Sequence, residues 1–284
     1  MKIHMIGCGC PDPMASRYGS AYILEVGKDL IMIDCGPATT FKMAKMGIRA
    51  GMVEYLFFTH HHFDHNADFP CFALTRWDTD NGSLPPLKVY GPAPTRKFVD
   101  LLVGENGAFA PDIRSRIEHP ASQGWHLSRG GVLPRPGMNI ETHDIDAGKI
   151  METASWTVRA VRVPHVEPGL ISLAYRFDTR EGSVLFTGDC SDCRAFKELA
   201  GGVDTLVANC TRFGNVSASE TPKVIAGTTD VAEIVKATGA GRVILTHSNA
   251  PFCTPDNKEK AIQEIAKSCD GDVFFPEELT TIEI

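Results

Sequence analysis

The stretch FFTHHHFDHNADFP, residues 57–70, constrains this chain more than any other. It closes a largely apolar run, VEYLFFTH, that reads as a strand buried on both faces. In an extended segment residues i and i+2 point the same way. His60 and His62 can therefore chelate one ion together. His61 turns to the opposite side with Phe63 and reads as a packing or supporting residue. Asp64 and His65 follow where the chain must turn into a helix, so they can be aimed at a second point close to the first. Four of the ten histidines lie in these six positions. The edge that carries them must be met by partners from elsewhere in the chain.

Three such partners are visible. RVPHVEPG places His165 after an apolar run, VLFTGDC places Asp189 after another, and VILTHSN places His247 after a third. Each closes a strand-like segment, and strand ends on one edge of a sheet converge on one cleft. Imidazole and carboxylate donors together suit Zn, Mn or Fe.

KIHMIG, SAYILEV and DLIMIDCG read as strands, with a hairpin turn in EVGKDL. TTFKMAKMG reads as a helix ended by Gly47. ADFPCFALTRW leads into a helix with Pro70 in its first turn, LKVYGP is a strand, and TRKFVDLL is helical. Residues 104–145 break this rhythm. They hold many Gly and Pro, with Arg114, Arg116, Arg129 and Trp125, and read as a cap or insertion over the site. Five further strands are expected in SWTVRAVRVPH, ISLAYRFD, SVLFTGD, DTLVANC and RVILTH, with helices near 192–200, 228–238 and 256–268. Two similar sets of strands and helices predict an α/β fold, a four-layer αβ/βα sandwich spanning 1–284 as one domain.

Net charge is −7, which disfavours a general nucleic-acid binder. No apolar run is long enough to span a bilayer. The opening residues lack a secretory pattern, and nine scattered cysteines suit a reducing compartment. A cytoplasmic enzyme of small molecules is the expectation.

The motifs THHHFDH, VPH, FTGD and LTH, in that order, resemble the signature of the metallo-β-lactamase superfamily. The N-terminal GCGCPDPMASRYGSAYILEVGKDLIMIDCG is similar to its ribonuclease Z and arylsulfatase-like branch. The resemblance implies two metal sites: His60, His62 and His165 at one, and Asp64, His65 and His247 at the other, with Asp189 bridging. It implies two divalent ions, foremost Zn with Mn or Fe as alternatives, about 3.5–4 Å apart and sharing a hydroxide. Asp64 and Asp189 are then the catalytic carboxylates. Asp34, in IDCG, corresponds to a carboxylate that orients a ligand imidazole; the alternative is a turn-capping Asp before Gly36. Homodimers are common in the superfamily, and the cap offers a contact.

Ribonuclease Z enzymes also carry a Glu/His pair thought to protonate the leaving oxygen. Here Asn209, in VANC, stands in place of the Glu, and Gly227 in place of the His. Without that acid an alkoxide leaves poorly. Only 23 residues separate His165 from Asp189, which leaves no room for a tRNA-binding arm. These departures demote tRNA 3′-end processing. They favour a metal-dependent hydrolase of a small anionic ester: a phosphodiester, sulfate ester or lactone. Iron-dependent redox chemistry on the same fold is the alternative, and a metal-stabilised binding module a third. Arg17 and Arg176 are candidates for holding an anionic substrate group, against a structural surface role. Trp125, with Phe109, is a candidate apolar wall over the cleft. Cys190 and Cys193 form a C-x-x-C beside Asp189. With GCGC at 7–10 they could make a structural zinc site, but inert core residues are the simpler account.

Overall fold

The computed structural model describes residues 1–191, 196, 199, 202–214 and 224–284. Two seven-stranded sheets carry the fold. The first runs β14-β1-β2-β3-β4-β5-β6, built from β1 (Lys2–Cys8), β2 (Ser20–Val26), β3 (Asp29–Ile33), β4 (Val53–Phe57), β5 (Leu87–Pro92), β6 (Ile140–Ile145) and β14 (Thr280–Glu283). The second runs β13-β12-β11-β10-β9-β8-β7, built from β7 (Gly148–Glu152), β8 (Trp156–Arg162), β9 (Leu173–Thr179), β10 (Ser183–Phe186), β11 (Thr205–Asn209), β12 (Arg242–Thr246) and β13 (Asp272–Phe274). Each sheet has an antiparallel half and a parallel half. The step from β3 to β4 is parallel, as are those among β10, β11 and β12.

Helices α1 (Thr39–Lys45), α2 (Phe63–Asn66), α3 (Phe69–Asp78) and α4 (Thr95–Val103) accompany the first sheet. Met43, Phe69, Phe72 and Val99 pack on its outer face. Helices α7 (Thr228–Thr238) and α8 (Pro255–Ala266) cover the second through Val231, Ile234, Ala261 and Ile265. Between them lie α5 (Ala110–Glu118) and α6 (Pro120–Ser128). The layers are the αβ/βα sandwich expected from the sequence.

The reason the VEYLFF run is apolar except at Glu54, which pairs with Lys88 at 2.9 Å, is now plain. Tyr55 and Phe57 face the second sheet, while Val53, Leu56 and Phe58 face the helices. Phe57 anchors the middle layer. It stacks on Tyr90 at 4.9 Å and meets Tyr175 and Phe177 edge-on at 5.4 and 5.5 Å. The sheets are also tied at the edge that carries the histidines. Tyr175 Oη donates to Phe58 O at 2.7 Å, and Leu173 N–H donates to Thr59 O at 2.9 Å.

Strands β6, β7, β13 and β14 escape the sequence reading. Residues 140–145, expected in the cap, are the edge strand β6. These four lie at sheet edges, are half-exposed and carry mixed sequences such as IETHDI and TTIE, so no clean periodicity marks them. The helix expected near 192–200 falls largely outside the described residues.

Phe57→Ala should cost about 3–5 kcal/mol, as for other buried phenylalanines. Urea unfolding monitored by circular dichroism would show this as a lowered midpoint. A loss below about 1 kcal/mol would contradict Phe57 as the anchor of the inter-sheet core.

Candidate metal centre

The seven side chains sit where strands of both sheets end. β4 runs out through Thr59 to His60 and His62, and α2 then carries Asp64 and His65. His165 follows β8, Asp189 follows β10, and His247 follows β12. Tight backbone approach lets these segments meet. A Cβ on Gly36 would lie 2.1 Å from Asp64 O, so only glycine fits where the β3 loop grips α2. That grip is closed by Cys35 N–H donating to His65 O at 2.7 Å. Gly188, just before Asp189, takes φ 58 and packs against Thr59.

The donor atoms fall into two groups, His60, His62, His165 and Asp189 in one, and Asp64, His65 and His247 in the other. Within each group the atoms lie within 4.8 Å of one another. In the first, His62 Nδ1 is 3.0 Å from His60 Nε2 and 3.1 Å from His165 Nε2. In the second, His247 Nε2 is 3.2 Å from Asp64 Oδ2, and His65 Nε2 is 3.5 Å from the same oxygen. Asp189 joins them. Its carboxylate lies 3.7 Å from His165 Nε2, 3.6 Å from His65 Nε2 and 3.2 Å from His247 Nε2.

The far sides of the rings are held. Asp34 Oδ2 lies 2.7 Å from His65 Nδ1, and both Asp34 oxygens take the Thr59 hydroxyl, at 2.8 and 3.1 Å. His60 Nδ1 is 3.1 Å from Thr59 Oγ1, and His165 Nδ1–H donates to Val224 O at 2.5 Å. With Nδ1 engaged, Nε2 of His60, His65 and His165 is left to face the cleft. Asp34 is therefore a ring-orienting carboxylate and not merely a turn cap.

The electrostatics fit a cation-binding set. Burial, helped by His65, holds His60 well below the usual histidine range, so its ring is neutral. Burial alone would raise Asp189, but His247 and His65 outweigh it and keep the carboxylate ionised. Burial would lower His65, yet Asp34 and Asp189 overcome it and hold the ring well above its ordinary value.

The test of fit is what the donors lack. Asp64 Oδ1, His65 Nε2 and Asp189 Oδ1 are buried without a hydrogen-bond partner. Buried polar atoms of this kind are costly unless something satisfies them. His62 Nδ1 also faces two ring nitrogens at hydrogen-bond distance. Divalent cations would resolve both problems, and histidine with carboxylate is the appropriate donor chemistry.

His61 turns away, as i+2 alternation requires. Its Nε2 is 2.7 Å from Thr95 Oγ1, it packs on Phe58 and Phe98, and burial lowers its pKa to about 4.

Three candidates are not brought to the cleft. Arg17 is buried with its guanidinium over Phe275. It donates to Pro276 O and pairs with Glu277 at 3.2 Å. Arg176 is buried in bonds to Asp178 at 2.8 Å and Leu199 O at 2.5 Å. Both guanidiniums are buried and paired within the protein, Arg17 through Nη2 alone, which overturns their assignment to a substrate anion. Trp125 is 68% exposed and lines a basin with Asp78, Arg116 and Arg129 that includes none of the seven. It is therefore not a wall over the cleft. Cys190 is buried, with Sγ 3.6 Å from Asn209 Oδ1. Cys193 lies outside the described residues. Among those described, no group able to hold a metal includes a cysteine.

Asn209 is buried on β11 and donates through Nδ2 to Cys190 O at 3.2 Å, bracing the turn after Asp189. Thr59 is the residue that the sequence reading missed. Its hydroxyl links Asp34, His60 and His65, but a single Thr before a His run carries no signal of that role.

Comparison with known proteins agrees with this geometry. Residues 109–248 match the beta-lactamase superfamily domain, and residues 1–90 match the model described as anti-Pycsar protein Apyc1. The metallo-β-lactamase fold protein YhfI from Bacillus subtilis superposes with a TM-score of 0.75 at 19% identity, covering 99% of this chain and 98% of its own. Residues 109–248 thus resemble the domain of that superfamily, and the chain has the metallo-β-lactamase fold. At that level it resembles hydrolases built on the metallo-β-lactamase fold. A ribonuclease Z from Mycobacterium sp. (strain KMS) is 28% identical over 258 residues, covering 89% of this chain and 85% of the relative. Human tRNase Z, short form, has a TM-score of 0.71 at 18% identity, covering 100% and 99% of the two chains. Unliganded yeast PDE1 has 0.67 at 13%, covering 99% and 98%. No helix among the described residues is long and apolar enough to cross a membrane.

Asp34→Asn should weaken metal binding by about 10- to 100-fold, as loss of such a supporting partner does elsewhere. Competition with a graded series of chelators measures this. Unchanged affinity would mean that His65 needs no orienting carboxylate.

Proposed function

We propose that the protein is a metal-dependent phosphodiesterase that holds two divalent ions. The observation that carries this is the pair of donor groups joined by Asp189, with buried oxygens and ring nitrogens that no protein group satisfies. His60, His62 and His165 would hold one ion, and Asp64, His65 and His247 the other, with Asp189 between them. Such ions, when bound, supply Lewis acidity and a water acidified toward neutral pH. Zn is the first choice, with Mn and Fe served by the same donors.

The chain's own residues do the positioning. Asp34 fixes the orientation of the His65 ring, Thr59 that of the His60 ring, and the Val224 carbonyl that of His165. The sunken pKa of Asp189 keeps it an anion throughout the neutral range. Relatives named ribonuclease Z and PDE1 favour a phosphodiester over a sulfate ester or a lactone. Asn209 cannot donate a proton as a carboxylic acid does, so aryl leaving groups should depart faster than alkyl ones.

Turnover of bis(p-nitrophenyl) phosphate tests the reading. Hydrolysis should vanish on chelation and return with Zn or Mn. Asp189→Asn should lower kcat by at least about 100-fold, in keeping with losses at electrostatic positions in other active sites. Phosphodiester inertness together with oxygen uptake by an iron-loaded sample would overturn the proposal in favour of redox chemistry.

A further inference from the structure

The exposed face of α2 and α3 forms a path away from the metal centre. Phe63, between His62 and Asp64, is 54% exposed. Ala67 lies one turn on, its N–H donating to Phe63 O at 2.9 Å. From Ala67 a groove of about 540 Å³ runs past Pro70, Cys71 and Leu74, with Phe109 opposite, and reaches Asp78 and Arg116. Helix α3 has ten residues, so this path is about 15 Å long.

The groove opens at Asp78 and Arg116 into a basin of about 200 Å³ that adds Arg129, Arg135 and Trp125. Three guanidiniums converge there on one carboxylate. Arg135, Arg116 and Arg129 approach Asp78 at 2.9, 3.1 and 3.4 Å. Asp112 takes part of Arg116, through a contact of 3.0 Å. Burial alone would raise Asp78, but Arg135 and Arg116 outweigh it and keep it ionised. Two carboxylates still cannot occupy five N–H donors on each of three guanidiniums. Arg135 is fixed by stacking over Trp77 at 4.2 Å, so the floor is rigid. Arg116 and Arg129 keep 39% and 42% of their side-chain surface open, beside an indole that is itself mostly exposed.

We propose that this basin is a second phosphate site, which takes a phosphate of a short single-stranded oligonucleotide whose base stacks on Trp125 while another of its phosphodiesters lies at the metal centre. The proposal rests on the phosphodiesterase reading and names its substrate class. Arginine forks match phosphate oxygens, and an exposed aromatic face accepts any base. The apolar middle of the groove suits the intervening bases. Net charge of −7 speaks against nucleic acid only where charge is spread evenly. Arg116, Arg129 and Arg135 line the basin against Asp78, with Asp112 on Arg116, so the balance there is positive by one charge. Binding at a point remote from the reacting phosphorus also supplies positioning to a site where the amide of Asn209 offers no acid.

A phosphorothioate oligothymidylate, titrated into the metal-loaded protein, tests binding without requiring turnover. Trp77 and Trp156 are buried, so quenching of exposed tryptophan emission reports Trp125. Saturable quenching is expected; Trp125→Ala removes the reporter itself, so its binding is read by the anisotropy of an end-labelled oligonucleotide, where Kd should rise about tenfold. Arg129→Ala should raise Kd roughly tenfold and reduce the salt slope by about one, while Arg129→Lys retains part of the affinity. In turnover, the ratio of kcat/KM for the unmodified oligonucleotide to that for bis(p-nitrophenyl) phosphate should fall about tenfold in both alanine variants. Unsaturable quenching, or an unchanged ratio, overturns the proposal. So does a Trp125→Ala protein that dissociates into smaller particles by light scattering yet binds the oligonucleotide normally, since the basin would then be an interface between copies. If neither diester is hydrolysed by the wild type, the phosphodiesterase reading fails, and the quenching experiment still decides the basin.

Discussion

Imidazole lone pairs and carboxylate oxygens repel one another when crowded into a buried space. This protein crowds seven such groups at one edge of its two sheets, and the rest of the fold exists to hold them there. His62 Nδ1 faces two other ring nitrogens near 3 Å, and Asp189 reaches histidines of both groups. Such an arrangement persists only if rigid layers on both sides forbid the side chains from turning away, or if cations make the crowding favourable. The aromatic core around Phe57 and the Tyr175–Phe58 and Leu173–Thr59 bonds supply the first condition. The chemistry of the donors supplies the second.

The division of labour between the two sheets follows from this. The first sheet delivers a compact block, His60 to His65, from one strand end and one short helix. The second delivers single residues from three separate strand ends. Neither sheet holds a complete set. Asp189 comes from the second sheet but approaches histidines from both, so the seam between the sheets runs through the site. Stability of the inter-sheet core and integrity of the site are therefore coupled. Thr59 and Asp34 extend the coupling outward, because they lock two rings to the backbone of the first sheet.

The path along α3 adds a second scale. The metal centre is buried and small, whereas the Arg and Trp basin is open and lies at the far end of α3, a helix about 15 Å long. A single helix thus connects a reacting end to an anchoring end, and its outward face need only stay apolar and shallow for a chain-like ligand to lie along it.

Much of the site was legible in the amino-acid sequence, because its residues obey local rules. His60 and His62 share a side through strand alternation. Asp64 and His65 fall at an enforced turn, and His165, Asp189 and His247 each close an apolar run. The sandwich was legible from two matching sets of strands and helices. Arg17, Arg176 and Trp125 were misplaced, because charge and aromaticity are visible in a sequence and their partners are not. Pro276 and Glu277 hold Arg17, Asp178 holds Arg176, and the tryptophan lines a basin beside Asp78 at the end of α3. Edge strands with mixed polarity left no period to read. The sequence by itself determined which donor atoms exist and which strand ends carry them, since both follow from residue type and a period of two. Only the tertiary structure decided that Thr59 braces two rings and that three arginines gather around Asp78, because those contacts join segments that share no local pattern and meet only when the layers close.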